Sequence, residues 1–295
     1  MSERFVDRVH VIGTVVTVDV RARERPLALD LAFAAAAVEL RRLDGLLSTW
    51  HPDSWASRLL DGRAQLEETP ATVREAHALA AAFDESTRGW FTPHWRMAGD
   101  DGAPTGPDVT GLVKGWAAQR VSDVLRGHGL RDHVVNAAGD VVVSGCPVPD
   151  APQEPWRVAV SDPARATAVL GVLTLRPGGR WAVATSGPAE RGPHVVNPRA
   201  GRPVGTVVSA TALLPIGSVH PQAGAETDAW ATALVAADAS PACRDAAAVA
   251  GVEVAVLCAD GRLHDPAGLL GAPPPQSTGS APANTTRSTP SRSRT

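Results

Sequence analysis

The chain has 295 residues, is 44% hydrophobic and 20% charged, and carries a formal net charge of −3. That is enough apolar side chain to bury a full core in one large or two small domains. The near balance of charge, with no block of like charges in the body, argues against a nucleic-acid partner. No stretch reaches the roughly 20 apolar residues of a membrane span.

In chain order, the alternating valines of residues 8–20 predict a first strand. The apolar run of the first twenty residues is broken by His10, Gly13 and Asp19, which does not read as a signal peptide. No cysteine lies nearby to take a lipid anchor, and a cytoplasmic location is expected. LALDLAFAAAAVELRRLDGLLS (27–48) predicts a long amphipathic helix. A polar turn follows at 48–59, leading into a short helix capped by Asp53 or Ser54. Residues 69–87 predict another helix with Thr69 as its cap, 89–95 a loop, and 99–108 a connector rich in Gly, Pro and Asp.

A helix is expected over 112–128 and a hairpin over 132–145, turning at AAGD. Strands are expected over 156–162, 168–175, 180–187 and 204–215, and a last long helix over 225–237. A closing hairpin spans 252–265 around Asp260-Gly261. From about Gly271 the sequence is Pro, Ser, Thr, Ala and Arg without apolar period, which predicts a disordered tail over 271–295 after a domain spanning 1–270. The order of elements predicts an α+β fold with a largely antiparallel sheet.

Lys114 is the only lysine among 28 basic residues. A drift from Lys to Arg meets no resistance on a solvated surface, but it does where a compact, rotatable ammonium is needed. Lys114 stands early in a helix entered through DVTG, where exposed N–H groups and an ammonium make an anion site. It is not a Walker A loop, since the first Gly and the K-[ST] ending are missing. Asp228 and Thr232, four apart on a helix, share one face and offer a hard cation two oxygens. The ordinary reading of the same pair is a threonine bonded back to its own helix. His194, between TSG and an NPRAG turn, is placed to exchange a proton near neutral pH. The three cysteines, Cys146, Cys243 and Cys258, form neither a zinc set nor a disulfide framework.

Seven motifs occur in succession: LLSTWHPDSWASRL, GWFTP, DVTGLVKGWA, VVNAAGDVVVSG, VATSG, HVVNPRAGRPV and TDAWATAL. Together they resemble the ApbE family of flavin transferases, over roughly His10 to Asp265. The resemblance implies an ApbE-like, T-fold-like architecture. It also implies an enzyme that uses FAD and Mg²⁺, moves FMN onto a Thr or Ser hydroxyl of an acceptor protein, and releases AMP. By motif, it marks Asp228, Thr232 and the Gly111 carbonyl as magnesium ligands and His194 as the catalytic base. It marks Ile12, Trp50, Phe91, Thr92, Asp108, Lys114 and Val196 as FAD contacts.

Several positions depart from the family pattern. Ile12 stands where Met is usual, Thr92 for Asp, Leu60 for Asn, Ala138 for Gly, Gln119 for Asp and Asn197 for Asp. The changes at Thr92 and Leu60 bear on FAD recognition and on the balance between transfer and hydrolysis. Three other readings stand beside the transferase: a Mg²⁺-dependent FAD pyrophosphatase, an FAD-binding protein without turnover, and an α+β domain whose motifs are structural remnants.

Overall fold

The run expected as one strand over 8–20 is a hairpin. In the computed structural model, which describes residues 2–95, 106–165, 167–188 and 195–272, β1 (Glu3–Val11) and β2 (Thr14–Ala22) pair antiparallel. They turn at Ile12 (φ 54°) and Gly13 (φ 66°). Two positive φ angles match the twist of the flanking strands, but a β-branched residue there is a genuine outlier. An apolar Ile in the turn continues the strand pattern, which is why the alternation conceals the reversal.

Helix α1 (Leu29–Leu47) follows, then α2 (Trp55–Leu60), whose cap is Ser54: its Oγ accepts from the Ser57 N–H at 3.0 Å. The next helix, α3 (Ala71–Ser86), is not capped by Thr69 as expected. Pro70 holds the cap position, and the Thr69 hydroxyl donates instead to the Leu66 carbonyl of a preceding 3-10 turn at 2.7 Å. Helix α4 (Thr110–Gly127) leads into the hairpin of β3 (His133–Ala137) and β4 (Asp140–Ser144). That hairpin turns as expected, at Ala138 (φ 53°) and Gly139 (φ 93°).

A third hairpin, β5 (Trp156–Ser161) and β6 (Val169–Leu175), stands apart from the main sheet. Strand β7 (Arg180–Ser186), the short pair β8 (Val196–Asn197) and β9 (Arg202–Pro203), and β10 (Val207–Pro215) come next. Helix α5 (Ala223–Ala236) is followed by α6 (Pro241–Val249), a helix absent from the sequence reading. Its alanine-rich PACRDAAAV is short and opens on proline, the residue tolerated in a first helical turn. Strands β11 (Glu253–Cys258) and β12 (Leu263–His264) close the fold.

The main sheet runs β1-β2-β3-β4-β7-β10-β11-β12, and every pairing in it is antiparallel. The α+β, antiparallel expectation holds. Period-2 alternation sends side chains to two cores. Ala182, Ala184, Ala210, Ala212 and Leu214 face the helices, whereas Val141, Val143, Val183 and Leu213 face Trp156, Leu173 and Leu175 of the β5–β6 hairpin. The small residues on the helix side let α5 lie close to the sheet, and α5 is buried almost all round.

Beyond the second core, Gly271 is hydrogen-bonded to Val172 of β6. Residues 273–295, most of the expected tail, lie outside the described residues. Among the described residues no helix is long and apolar enough to cross a membrane.

Candidate active site

The site is built where α4 crosses α5. A Cβ placed on Gly115 would lie 2.0 Å from the Gly224 carbonyl oxygen, and one on Gly224 would lie 2.3 Å from the Gly115 carbonyl oxygen. Only glycine permits so close an approach of the two backbones. Gln119 of α4 pins the start of α5. Its Nε2 donates to the Pro221 carbonyl at 2.7 Å, and its Oε1 accepts from the Gly224 N–H at 2.7 Å. The departure from Asp at this position thus supplies both a donor and an acceptor, which a carboxylate does not.

This crossing sets Lys114 against Asp228. The ammonium pairs with Asp140 at the head of β4 and lies 3.5 Å from Asp228 Oδ1, while the Gly115 N–H donates to Asp228 Oδ2 at 3.2 Å. Both carboxylates are 1% exposed. Burial by itself would lower the Lys114 pKa, but the fields of Asp140 and Asp228 outweigh it and hold the ammonium above its ordinary range. Burial raises the pKa of Asp228, and its share of Lys114 and the Gly115 N–H offset this only in part. Among the described residues, two buried acids share one cation.

Two cavities meet over the first turn of α4. The first, of about 150 Å³, is walled by Phe91 and Thr92 of the loop after α3, by Gly111, by Val196 of β8 and by Asp228 and Thr232. The second, of about 420 Å³, is walled by Ile12, Trp50 and Leu60. Trp95, Asp108, Thr110 and Lys114 line both. Asp108 is buried and fixes the helix entry, its Oδ1 accepting from the Thr110 N–H (2.9 Å) and hydroxyl (2.7 Å). Ile12 is tied to α1 through its N–H, which donates to Asp44 Oδ1 at 2.7 Å. The Trp50 indole lies against Gly13 but is otherwise 71% exposed. Thr92 donates to Asp84 Oδ2 at 2.9 Å, so the threonine that stands for Asp brings a carboxylate of α3 behind this wall.

Of the residues marked from sequence, Ile12, Trp50, Phe91, Thr92, Asp108, Gly111, Lys114, Val196, Asp228 and Thr232 all line these cavities. His194 lies outside the described residues. Asp140 was not marked. Its signal was present: a solitary lysine near the core requires a counter-charge, and Asp140 follows directly on a tight turn. Ser186, the serine of the TSG motif, also lines the first cavity, with its Oγ 3.3 Å from Thr232 Oγ1.

A family model described as "ApbE family" matches residues 98–256, more than half of the chain. The chain belongs to the ApbE family. The match contains every residue of the α4–α5 crossing described above. Relatives within the family include proteins named FAD:protein FMN transferase. One from Rhodobacter capsulatus is 39% identical over 138 residues, covering 44% of this chain and 24% of that protein. One from Vibrio cholerae serotype O1 is 30% identical over 115 residues, covering 36% of this chain and 33% of that protein. The matches thus span about a quarter and a third of the curated relatives' length. Among solved ApbE structures, the flavin transferase ApbE from Vibrio cholerae superposes with a TM-score of 0.73 at 19% identity, covering 90% of this chain and 97% of that one. The ApbE protein from Thermotoga maritima gives 0.71 at 21% identity, covering 89% and 97%. These likenesses establish the ApbE fold.

Proposed function

We propose that this chain transfers FMN from FAD to a Thr or Ser hydroxyl of an acceptor protein, with Mg²⁺ and with release of AMP. The observation that carries the reading is the junction of two cavities at a lysine shared by two buried acids. FAD is a two-ended ligand with a diphosphate between its ends, and a diphosphate at the junction faces the ammonium. The relatives named FAD:protein FMN transferase support the same reading.

The donors present fit Mg²⁺. Among the described residues no cluster of three or more His, Cys, Asp or Glu is placed to hold a metal. A cation here would instead be held by the Asp228 carboxylate, the Thr232 hydroxyl and the Gly111 carbonyl. That sparse, all-oxygen set is the usual one for Mg²⁺. A Cβ on Gly111 would lie 3.5 Å from Thr232 Oγ1, so α4 and α5 bring Gly111 and Thr232 side by side. When bound, Mg²⁺ neutralises charge on the phosphate oxygens and on the leaving group.

The chain's own residues do the positioning that phosphoryl transfer requires. Lys114 holds the diphosphate. Phe91 and Val196 wall one end of the ligand, and Ile12, Trp50 and Leu60 the other. His194 takes the proton from the acceptor hydroxyl as its oxygen attacks the FMN phosphorus. The phosphoanhydride bond to AMP breaks, and AMP leaves.

The test is to incubate the protein with FAD and Mg²⁺, with and without a candidate acceptor domain, and to read AMP release and acceptor mass. The expected result is an acceptor mass gain equal to FMN, abolished by His194→Ala and by Asp228→Ala. AMP and free FMN without acceptor modification would replace the transferase with the pyrophosphatase. Bound FAD without AMP would leave a binding protein.

A further inference from the structure

Asp140 does not line either cavity, yet it holds the residue that lines both. Lys114 sits on a flexible four-carbon stem whose ammonium is a point charge without a preferred direction. Its side chain lines both cavities and is 22% exposed, while Asp140, which pairs with its ammonium, is outside the lining of either. Of its two carboxylate neighbours, Asp140 is the closer, and Asp228 is also engaged by the Gly115 N–H.

The backbone of Asp140 is firmly placed. Asn136 Oδ1 accepts from the Gly139 N–H at 2.9 Å and closes the preceding turn. Asp140 then opens β4, and the next residue, Val141, pairs with Val183 of β7 in the middle of the main sheet. A short side chain on that frame presents its carboxylate to one spot.

We propose that Asp140 is a positioning residue: it anchors the Lys114 ammonium at the junction of the two cavities and so leaves Asp228 available to a divalent cation. The inference rests on the functional reading above. Without Asp140 the ammonium has Asp228 as its remaining partner among the described residues. It then moves onto Asp228, away from the diphosphate and onto the oxygens that a cation needs. Loss of Asp140 therefore weakens two ligands at once through one intermediary, which distinguishes it from a residue that merely stabilises the hairpin.

The experiment is a double-mutant cycle on the full chain with Asp140→Asn and Lys114→Ala. The affinity for FAD is read by flavin fluorescence in EDTA, where no turnover occurs. The Mg²⁺ concentration giving half-maximal AMP release is read separately. Asp140→Asn is expected to weaken FAD binding about tenfold, the equivalent of about 1.4 kcal/mol, and to raise the Mg²⁺ requirement. In the Lys114→Ala background the same change is expected to have no further effect on FAD affinity, because residues that act through one another are not additive. If Asp140→Asn does not fold, Asp140→Glu replaces it: it keeps the charge but displaces the carboxylate, and it too is expected to weaken FAD binding only when Lys114 is present. Wild-type affinity in a folded Asp140 variant, or losses that add in the double variant, would overturn this inference alone. A wild-type chain that binds no FAD would overturn the functional reading and this inference with it.

Discussion

Replacing Gly115 with alanine should break the site from a distance, by prising apart the two helices that carry it. The added Cβ would lie 2.0 Å from the Gly224 carbonyl oxygen, 2.9 Å from its carbonyl carbon and 3.0 Å from Asp228 Cβ. A contact of that kind requires at least about 3 Å, so α5 must retreat by about 1 Å or more. Overpacking of this order costs about 1–3 kcal/mol, against a gain of up to about 1 kcal/mol from alanine's better helix propensity. Retreat of α5 also carries Asp228 and Thr232 away from α4, and a misplacement of about 1 Å is enough to cost on the order of a hundredfold in turnover. The assay pairs urea unfolding with AMP release. Gly127→Ala is the control on the same helix: nothing lies within 4 Å of its Cβ, and it should stabilise the protein by about 0.5–1 kcal/mol. If Gly115→Ala and Gly127→Ala prove equally stable and equally active, the close crossing does not organise the site.

Two further predictions concern buried groups outside it. His133 is fully buried, its Nδ1–H donating to the Leu130 carbonyl at 2.9 Å and its Nε2 accepting from the Ser122 hydroxyl at 2.8 Å. Burial lowers its pKa from 6.5 to about 3, with Arg180 and Arg126 adding to the effect and the Leu130 carbonyl opposing it. The unfolded chain therefore binds a proton that the folded chain refuses. The stability from neutral His133 is complete above pH 6.5 and is lost as pH falls toward about 3, at up to about 1.4 kcal/mol per pH unit. Urea unfolding across that window should show a shallower fall for His133→Gln, and an unchanged slope would refute the assignment. The Cys243 thiol is buried, and burial raises its pKa to about 12 despite Arg199 and Arg244. It should resist alkylation in the native protein and react on unfolding, as peptide mass analysis would reveal; rapid native labelling would contradict its burial.

Much of this was legible because local patterns coincide with the tertiary answer. Helices α1 and α4 announce themselves by periodicity, and the β3–β4 turn by its Gly-Asp sequence. The reversal at Ile12-Gly13 was hidden because an apolar, β-branched residue occupies a turn. The cap of α3 was misplaced because Thr69 had a competing acceptor in the Leu66 carbonyl, which lies in a separate 3-10 turn. Helix α6 was missed because nine residues are too few to establish a period.

The sequence by itself determined the fold class and the family, and it named most of the side chains that line the two cavities. Motif order and residue chemistry are one-dimensional properties, and Lys114, Asp228, Thr232 and Asp108 are visible in them. Only the tertiary structure decided that Lys114 is held between two acids drawn from β4 and α5, at positions 26 and 114 residues along the chain from it. It also decided that Gln119 caps the helix bearing Asp228, and that Gly115 and Gly224 set how closely that helix approaches. The physical reason is that a buried charge takes its partner from whatever the packing of helices against the sheet brings near, and that packing depends on long-range contacts no local pattern encodes.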